Sequence, residues 1–171
     1  MKIFTTLIFA MFILSACNKI SLTKEDAYKL IEQHKNYPQI QSYQIYTKDA
    51  EDGRRVLDVG LEKDGLVRVE RHHKTGENQK AIIEFTDKAS EFLLPPDKGQ
   101  LNSVQKIKVA EEVLDSILSI QVNEKQKTAV VNYSSKYVHV NPFAKLDKKD
   151  YTQTKKHQAN LTFTKDGWIV Q

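Results

Sequence analysis

The chain has 171 residues, with 26 basic and 22 acidic side chains and a formal net charge of +4. This excess is too small to indicate nucleic-acid binding, and a single cysteine excludes an intramolecular disulfide or a thiolate metal site. Charged residues make up 28% of the chain and no low-complexity tract occurs, so the composition is that of a globular protein.

The first 17 residues predict export. Lys2 is followed by an apolar run from Ile3 to Leu14, and small residues come next. A charged start, an apolar core and small residues at the cut are the plan of a signal peptide. The run is shorter than the about 20 apolar residues of a permanent transmembrane helix. An ordinary secretory signal that ends by chance in a cysteine, leaving a free thiol at Cys17, is the alternative.

The tetrad Leu14-Ser15-Ala16-Cys17 resembles the lipobox of bacterial lipoproteins. The resemblance implies that residues 1–16 are removed, that the Cys17 thiol carries a diacylglyceryl group, and that the freed amine usually takes a further acyl chain. Several chains together give stable membrane anchoring. Asn18 occupies the position where an Asp retains lipoproteins in the inner membrane. The resemblance therefore implies delivery to the outer membrane, facing the periplasm, with the inner membrane as the less favoured alternative.

Residues 17–21 are predicted to be a short tether, followed by a single domain over residues 22–171. Thr23 is a candidate helix N-cap, with Asp26 in a capping-box position. One helical face then carries Ala27, Leu30, Ile31 and His34. The helix must end before Pro38, because the residue before a proline avoids the helical conformation. The domain is therefore expected to begin close to the bilayer.

The chain from Ile40 to Leu94 predicts a β-meander. Its expected strands cover residues 40–46, 56–61, 66–72, 81–86 and 92–94, with a turn at residues 49–53. Asp64-Gly65 between apolar alternations indicates a hairpin. A second turn is expected at residues 74–78. Pro95, Pro96 and Gly99 then mark a possible boundary between two halves near residues 95–100.

The second half is predicted to be mostly extended. Ile107–Val122 fits either a helix or a strand, and its β-branched content favours a strand. Further strands are expected over residues 128–140, 159–163 and 168–170. The fold class is therefore α+β, with one N-terminal helix and a largely antiparallel meandering sheet of seven or eight strands. An Asp-Gly turn in each half leaves a diverged duplication open. The final Gly167-Trp168 strand is similar in style to those of small Gram-negative envelope lipoproteins.

No motif in the sequence indicates catalysis. The adjacent His72 and His73 would face opposite sides of a strand, and no histidine pair has metalloprotease spacing. The sequence also lacks a Gly-rich phosphate loop and a Gly-x-Ser-x-Gly nucleophile motif. We therefore expect no catalytic residue, no bound metal, no cofactor and no enzymatic activity.

One stretch offers a possible contact surface. Phe143, beside Pro142, is expected to be exposed, whereas most of the other aromatic residues alternate as core residues do. The following loop is rich in lysine: Lys145, Lys148, Lys149, Lys155 and Lys156. Near an anionic surface each lysine contributes about 1 kcal/mol, so the loop could contact lipid phosphates or an acidic partner. A solvated loop is the alternative.

The sequence thus predicts a membrane-anchored periplasmic lipoprotein, a non-enzymatic binding or accessory module of the cell envelope. Its expected partner is another envelope protein, not nucleic acid. The alternative function is an inhibitor or immunity protein against a periplasmic toxin or cell-wall hydrolase. A third hypothesis, a periplasmic enzyme or small-ligand carrier, requires a buried pocket lined by groups such as Tyr133, His139 or Asp115.

Overall fold

The computed structural model describes residues 20–71, 80–99 and 101–171. Within these residues the fold is α+β, with a mostly antiparallel sheet. The α-helices are α1 (Lys24–Lys35) and α2 (Ala50–Asp58). The strands are β1 (Gln39–Tyr46), β2 (Val67–Val69), β3 (Ile83–Phe85), β4 (Val104–Asn123), β5 (Thr128–Val138), β6 (Lys155–Thr164) and β7 (Gly167–Val170). Two 3-10 helices cover Asp87–Phe92 and Pro142–Leu146.

Helix α1 forms where the sequence predicts it. The Thr23 hydroxyl oxygen accepts a hydrogen bond from the Asp26 backbone N–H at 3.1 Å and donates to the Asp26 carboxylate at 2.7 Å. Ala27 and Ile31 are fully buried on the predicted face, whereas His34 is exposed at its edge. The helix ends at Asn36, whose left-handed conformation turns the chain toward Pro38 and β1.

The main sheet has five strands in the order β1-β4-β5-β6-β7, and all neighbours are antiparallel. The 20-residue strand β4 is its backbone, which confirms the strand interpretation of that stretch. β1 pairs with the first half of β4, and β5 pairs with the second half. Register shifts mark bulges in both pairings, and bulges bend a strand and increase its twist. The sheet therefore curls and has a distinct inner face.

The segment after β1 differs from the predicted meander. The Asp49 carboxylate accepts hydrogen bonds from the N–H groups of Glu51 and Asp52 and so starts α2, where a turn and a strand were predicted. Ion pairs of Arg54 with Asp58 and of Arg55 with Glu51, each four residues apart, favour the helix. The expected hairpin at Asp64-Gly65 is therefore wrong, because the predicted first strand, residues 56–61, instead forms the end of α2 and the turn after it.

The remaining predicted strands of that segment are shorter than expected. β2 and β3 pair only with each other, in a separate two-stranded sheet. Phe92 ends a 3-10 helix, and Leu93 forms one isolated bridge to Ile107. The predicted turn at residues 74–78 lies outside the described residues. The described chain thus has two α-helices and two sheets, which corrects the expected single helix and continuous sheet.

Two hydrophobic clusters cover the inner face of the main sheet. The first cluster lies under α2, β2–β3 and the 3-10 helices: Ile45, Val56, Leu61, Leu66, Val67, Val69, Ile83, Ala89, Ile107, Val109, Phe143 and Ala144. The second cluster lies under α1: Leu22, Ala27, Ile31, Leu114, Ile117, Ala129, Val131, Tyr133, Ala159 and Leu161. Strand β4 contributes to both. Residues 95–99 of the proposed boundary lie in the loop before β4, and β1 from the first half pairs with β4 from the second.

Candidate functional site

A cluster of polar side chains lies on the inner face of the sheet, between the two hydrophobic clusters. We call it the polar centre: Glu112, Ser135, Tyr137, Lys149, Lys155 and His157, with Tyr133 at its border. Alternate residues of a strand face the same side, and the register places Glu112 opposite Tyr137, Ser135 opposite Lys155, and Tyr133 opposite His157. Three strands and the loop that carries Lys149 therefore bring these groups together from positions far apart in the sequence.

The Glu112 carboxylate is the centre of the network, with only 6% of the residue exposed. One of its oxygens accepts a hydrogen bond from the Ser135 hydroxyl at 2.6 Å, and the other lies 3.2 Å from the Lys155 ammonium. Burial alone raises the pKa of this carboxyl, but Ser135 and the ammonium groups of Lys155 and Lys149 outweigh it, so the Glu112 pKa is lowered. Glu112 is therefore held as a buried anion at neutral pH.

Ser135 and His157 complete the network in an order that differs from a hydrolase triad. The Ser135 hydroxyl oxygen lies 2.7 Å from Nε2 of His157, and the serine is fully buried. Because the hydroxyl donates its one proton to Glu112, it accepts from His157, which fixes the tautomer with a proton on Nε2. In a triad the histidine stands between an accessible serine and a carboxylate. Here the serine stands in the middle, so it ties β4, β5 and β6 together.

Tyr133 forms the border between the polar centre and the second hydrophobic cluster. Its ring stacks on the His157 imidazole with centroids 5.0 Å apart. Burial, and then the neighbouring Tyr37 hydroxyl, raise the pKa of Tyr133 to about 12. Tyr133 is thus a neutral group at every physiological pH. Its ring separates the polar network from the second hydrophobic cluster.

Two lysines lie over the Tyr137 ring. The Lys149 and Lys155 ammonium groups are 4.5 Å and 4.8 Å from its centroid, a cation–π arrangement. The Tyr137 hydroxyl is buried and has no partner with regular hydrogen-bond geometry among the described residues. The nearby Lys155 ammonium still interacts with it. This contact first, and Glu112 next, raise the pKa of Lys155 against the opposing effect of burial.

The loop between the second 3-10 helix and β6 is fastened over the polar centre. Lys149 donates a hydrogen bond to the side-chain oxygen of Gln41 on β1 at 2.6 Å. The Tyr151 ring packs edge-on against Tyr137, with centroids 5.0 Å apart, and its hydroxyl donates to Asp147. The loop is therefore held by specific contacts to β1 and β5 and is not simply a solvated segment.

The structure divides the predicted contact surface. Lys149 and Lys155 belong to the polar centre, and Lys145 forms an ion pair with Asp64 at 3.1 Å. Lys148 and Lys156 are exposed. Lys145 is exposed as well, so these three lysines are the part of the predicted surface that remains open to solvent.

Phe143 does not belong to that surface, and the prediction of its exposure is wrong. It is fully buried in the first hydrophobic cluster, with ring centroids 6.3 Å from Phe85 and 6.0 Å from Phe92. The Asn141 side chain accepts a hydrogen bond from the Phe143 N–H and caps the 3-10 helix that begins at Pro142. This turn directs the ring into the core.

The three side chains of the carrier hypothesis do not come together. Tyr133 is buried on the inner face, whereas Asp115 pairs with Lys136 at 2.8 Å and with Ser134. His139 is exposed and lies 3.3 Å from the Glu111 carboxylate. A different cavity, of about 430 Å³, lies between α1 and β4 and is lined by Lys24, Glu25, Tyr28, Lys29, Ser116 and Ile117.

Sequence reasoning did not identify the polar centre. No sequence pattern singles out Glu112, Ser135 or His157. The available signal was that Ile107–Leu118 carries charged residues, Glu112 among them, within a strand-like pattern, since a charge buried in a strand requires a partner. Among the described residues, no group of three or more His, Cys, Asp or Glu side chains could hold a metal ion.

No protein-family model matches the chain, and neither a curated protein nor a solved structure does. Cys17 lies outside the described residues.

Within the part of the chain that the structure describes, no helix has the length and apolar character needed to cross a membrane.

Proposed function

We propose that this chain is an envelope lipoprotein, held by lipid on Cys17 at the periplasmic face of the outer membrane. It acts there as a non-enzymatic binding or accessory module. The observation that carries the proposal is the lipobox-like tetrad Leu14-Ser15-Ala16-Cys17, placed directly after an apolar run and containing the only cysteine. Asn18 at the following position supports delivery to the outer membrane.

The position of the folded domain supports the same proposal. Leu22 is already part of the second hydrophobic cluster, and α1 begins at Lys24. The proposed lipid site is therefore followed almost at once by ordered structure. This is the arrangement expected for a domain that works close to a membrane surface.

The polar centre supports a binding role. Glu112 is buried while its partner Lys155 is partly exposed, and taking a charge out of water costs free energy that an ion pair often does not recover, so stability alone does not explain this pair. The buried middle position of Ser135 argues against its use as a nucleophile. Lys148 in the fastened loop and Lys156 at the start of β6 are exposed, and each offers a cationic group to another envelope protein.

The anchor is tested by substitution and fractionation. The unmodified chain is expected in the outer-membrane fraction, and Cys17→Ala is expected to leave the membrane or to accumulate uncleaved. Asn18→Asp is a matched variant that keeps the lipid site and is expected to shift the protein to the inner membrane. Wild type and Cys17→Ala both soluble in the periplasm would exclude the proposal.

The binding role is tested by crosslinking in intact envelopes. A photoreactive residue at position 148 or 156 is expected to give one recurrent adduct with an envelope protein. The same residue at position 98, which is exposed in the loop before β4, serves as the control and is expected to give none. The absence of any adduct from positions 148 and 156 in membranes that contain the anchored protein would count against a partner at this surface.

A further inference from the structure

The chain is fixed to the domain very soon after the proposed lipid site. The indole Nε1–H of Trp168 on β7 donates a hydrogen bond to the Ser21 carbonyl oxygen at 2.9 Å. The next residue, Leu22, is buried in the second hydrophobic cluster. Only residues 18–20 therefore separate Cys17 from the first residue that the domain holds.

This spacing limits the distance between the domain and the membrane. A fully extended chain advances at most about 3.6 Å per residue, so Ser21 lies within about 14 Å of Cys17. A cysteine whose acyl chains are in the bilayer stays at the headgroup layer. Ser21 and its partner Trp168 must then lie at or just above that layer.

The same end of the sheet also contains two turns. Trp168 pairs with Phe163 of β6, and the Phe163 N–H donates to the Lys127 carbonyl oxygen in the β4–β5 turn at 2.8 Å. The turn at residues 124–127 and the turn at residues 165–166 are therefore neighbours of Trp168. We call this group, with Ser21, the tethered end.

The polar centre lies at the other end of the strands. Thr128 begins β5 at the tethered end, and Tyr137 is nine positions further along the same strand. At about 3.3 Å per residue, this separates the two by roughly 30 Å along the strand. The short tether holds only the tethered end near the bilayer, and when the strands stand upright on that end the polar centre lies away from the headgroup layer.

We propose that the tethered end is the membrane-facing surface of the domain and that its partner is the phospholipid headgroup layer. The proposal rests on the lipid anchor at Cys17. The two turns carry Lys125, Lys127 and Lys165 against Glu124 and Asp166, a formal net charge of only +1, so the short tether sets the orientation. Tryptophan is enriched at membrane interfaces because its ring is apolar and its N–H is polar. The polar centre and Lys156 then face the periplasm.

Trp168 is the only tryptophan in the chain, so its fluorescence reports on this surface directly. The acylated full-length protein is reconstituted into phosphatidylethanolamine–phosphatidylglycerol vesicles in which part of the lipid carries a nitroxide at the headgroup. We expect loss of Trp168 fluorescence relative to unlabelled vesicles. The matched control is the double variant Trp168→Phe/Tyr46→Trp, since Tyr46 is half exposed at the opposite end of the sheet, across from Val104. Its fluorescence is expected to persist.

A second variant tests whether the short tether is the cause. An insertion of 20 Gly and Ser residues after Asn18 gives a flexible segment with a mean span of about 25 Å. The inserted protein is expected to float with the vesicles and to lose the quenching of Trp168.

The outcomes separate this inference from the proposed anchor. Protein that does not float with vesicles contradicts the lipid anchor, and the inference falls with it. Protein that floats but shows unquenched Trp168, or equal quenching of the tryptophan at position 46, overturns the orientation alone. Quenching that persists unchanged after the insertion shows that the surface binds lipid without help from the tether, and it overturns the tether as the cause.

Discussion

The second hydrophobic cluster and the polar centre are neighbours on the same strands, yet they are built from opposite chemistry. On β4, Leu114 packs in the cluster, and two residues earlier Glu112 anchors the polar network. Burying apolar surface stabilises a fold by about 25 cal/mol per Å², whereas a buried ion pair often contributes nothing beyond an apolar replacement. The free energy gained by burying apolar surface explains why the second hydrophobic cluster is present. The polar centre is the part of the inner face that stability alone does not explain.

The largest expected effect comes from the apolar side. Phe143→Ala removes a fully buried ring that contacts Phe85 and Phe92, and it should lower the free energy of unfolding by about 3–5 kcal/mol. Urea denaturation measures this loss. Phe143→Leu keeps most of the volume and should cost much less. A change within about ±0.5 kcal/mol for the alanine variant, the range typical of surface sites, would mean that the ring is not part of the core.

The polar side should behave differently when one or both charges are removed. Glu112→Met leaves Ser135 and Lys155 without their acceptor and should cost about 1–3 kcal/mol. The double variant Glu112→Met/Lys155→Met should recover much of that loss, since apolar isosteres can replace a buried pair. Urea denaturation of the single and the double variant under the same conditions measures the difference between their free energies of unfolding. A double variant less stable than the single variant would show that the pair exists for stability.

Tyr133, at the border between the two regions, should make the stability of the protein fall at alkaline pH. The folded state keeps Tyr133 protonated up to its pKa of about 12, whereas an unfolded tyrosine ionises near pH 10. The unfolded state therefore releases its proton first, and the contribution of Tyr133, complete below pH 10, is lost as pH rises toward 12. The free energies of unfolding of wild type and Tyr133→Phe, compared between pH 9 and pH 11, isolate the contribution of Tyr133 to this pH dependence. Parallel curves for the two proteins would place Tyr133 in an ordinary solvated environment.

The smallest expected effect lies at the start of the second cluster. Thr23→Ala removes the N-cap of α1 and should cost about 1 kcal/mol. Thr23→Ser retains the accepting oxygen and should be close to wild type. Thermal denaturation of both variants is sufficient, and equal losses for alanine and serine would rule out the cap as the cause.

Local residue patterns predict helix α1 but not helix α2, because the same residue types can form either a turn or a helix cap. Helix α1 is predictable because its signals are local: the Thr23 cap and the helical spacing of Ala27 and Ile31 all lie in or next to its 12 residues. Helix α2 was missed because Asp49 and Gly53 are typical of turns. In the structure Asp49 is a cap, and Gly53 is a place of close packing, where an added Cβ would come within 3.2 Å of Ile82.

The polar centre could not be predicted from spacing. Glu112 and His157 are far apart in sequence and meet only because of the register of β4, β5 and β6. That register depends on bulges in β4, and no residue pattern in the sequence predicts where these bulges occur. Phe143 was misplaced for a similar reason, since the Asn141 cap that turns it inward is a feature of the folded loop.

We propose above that Cys17 becomes the lipidated first residue of the mature protein. The intact mass of protein purified from the envelopes of cells grown with labelled palmitate tests it most directly. We expect a chain that begins at Cys17, exceeds the polypeptide mass by a diacylglyceryl group and a further acyl chain, and carries the label. A chain that begins at Met1, or a processed chain with a free and unlabelled thiol at Cys17, would contradict the account.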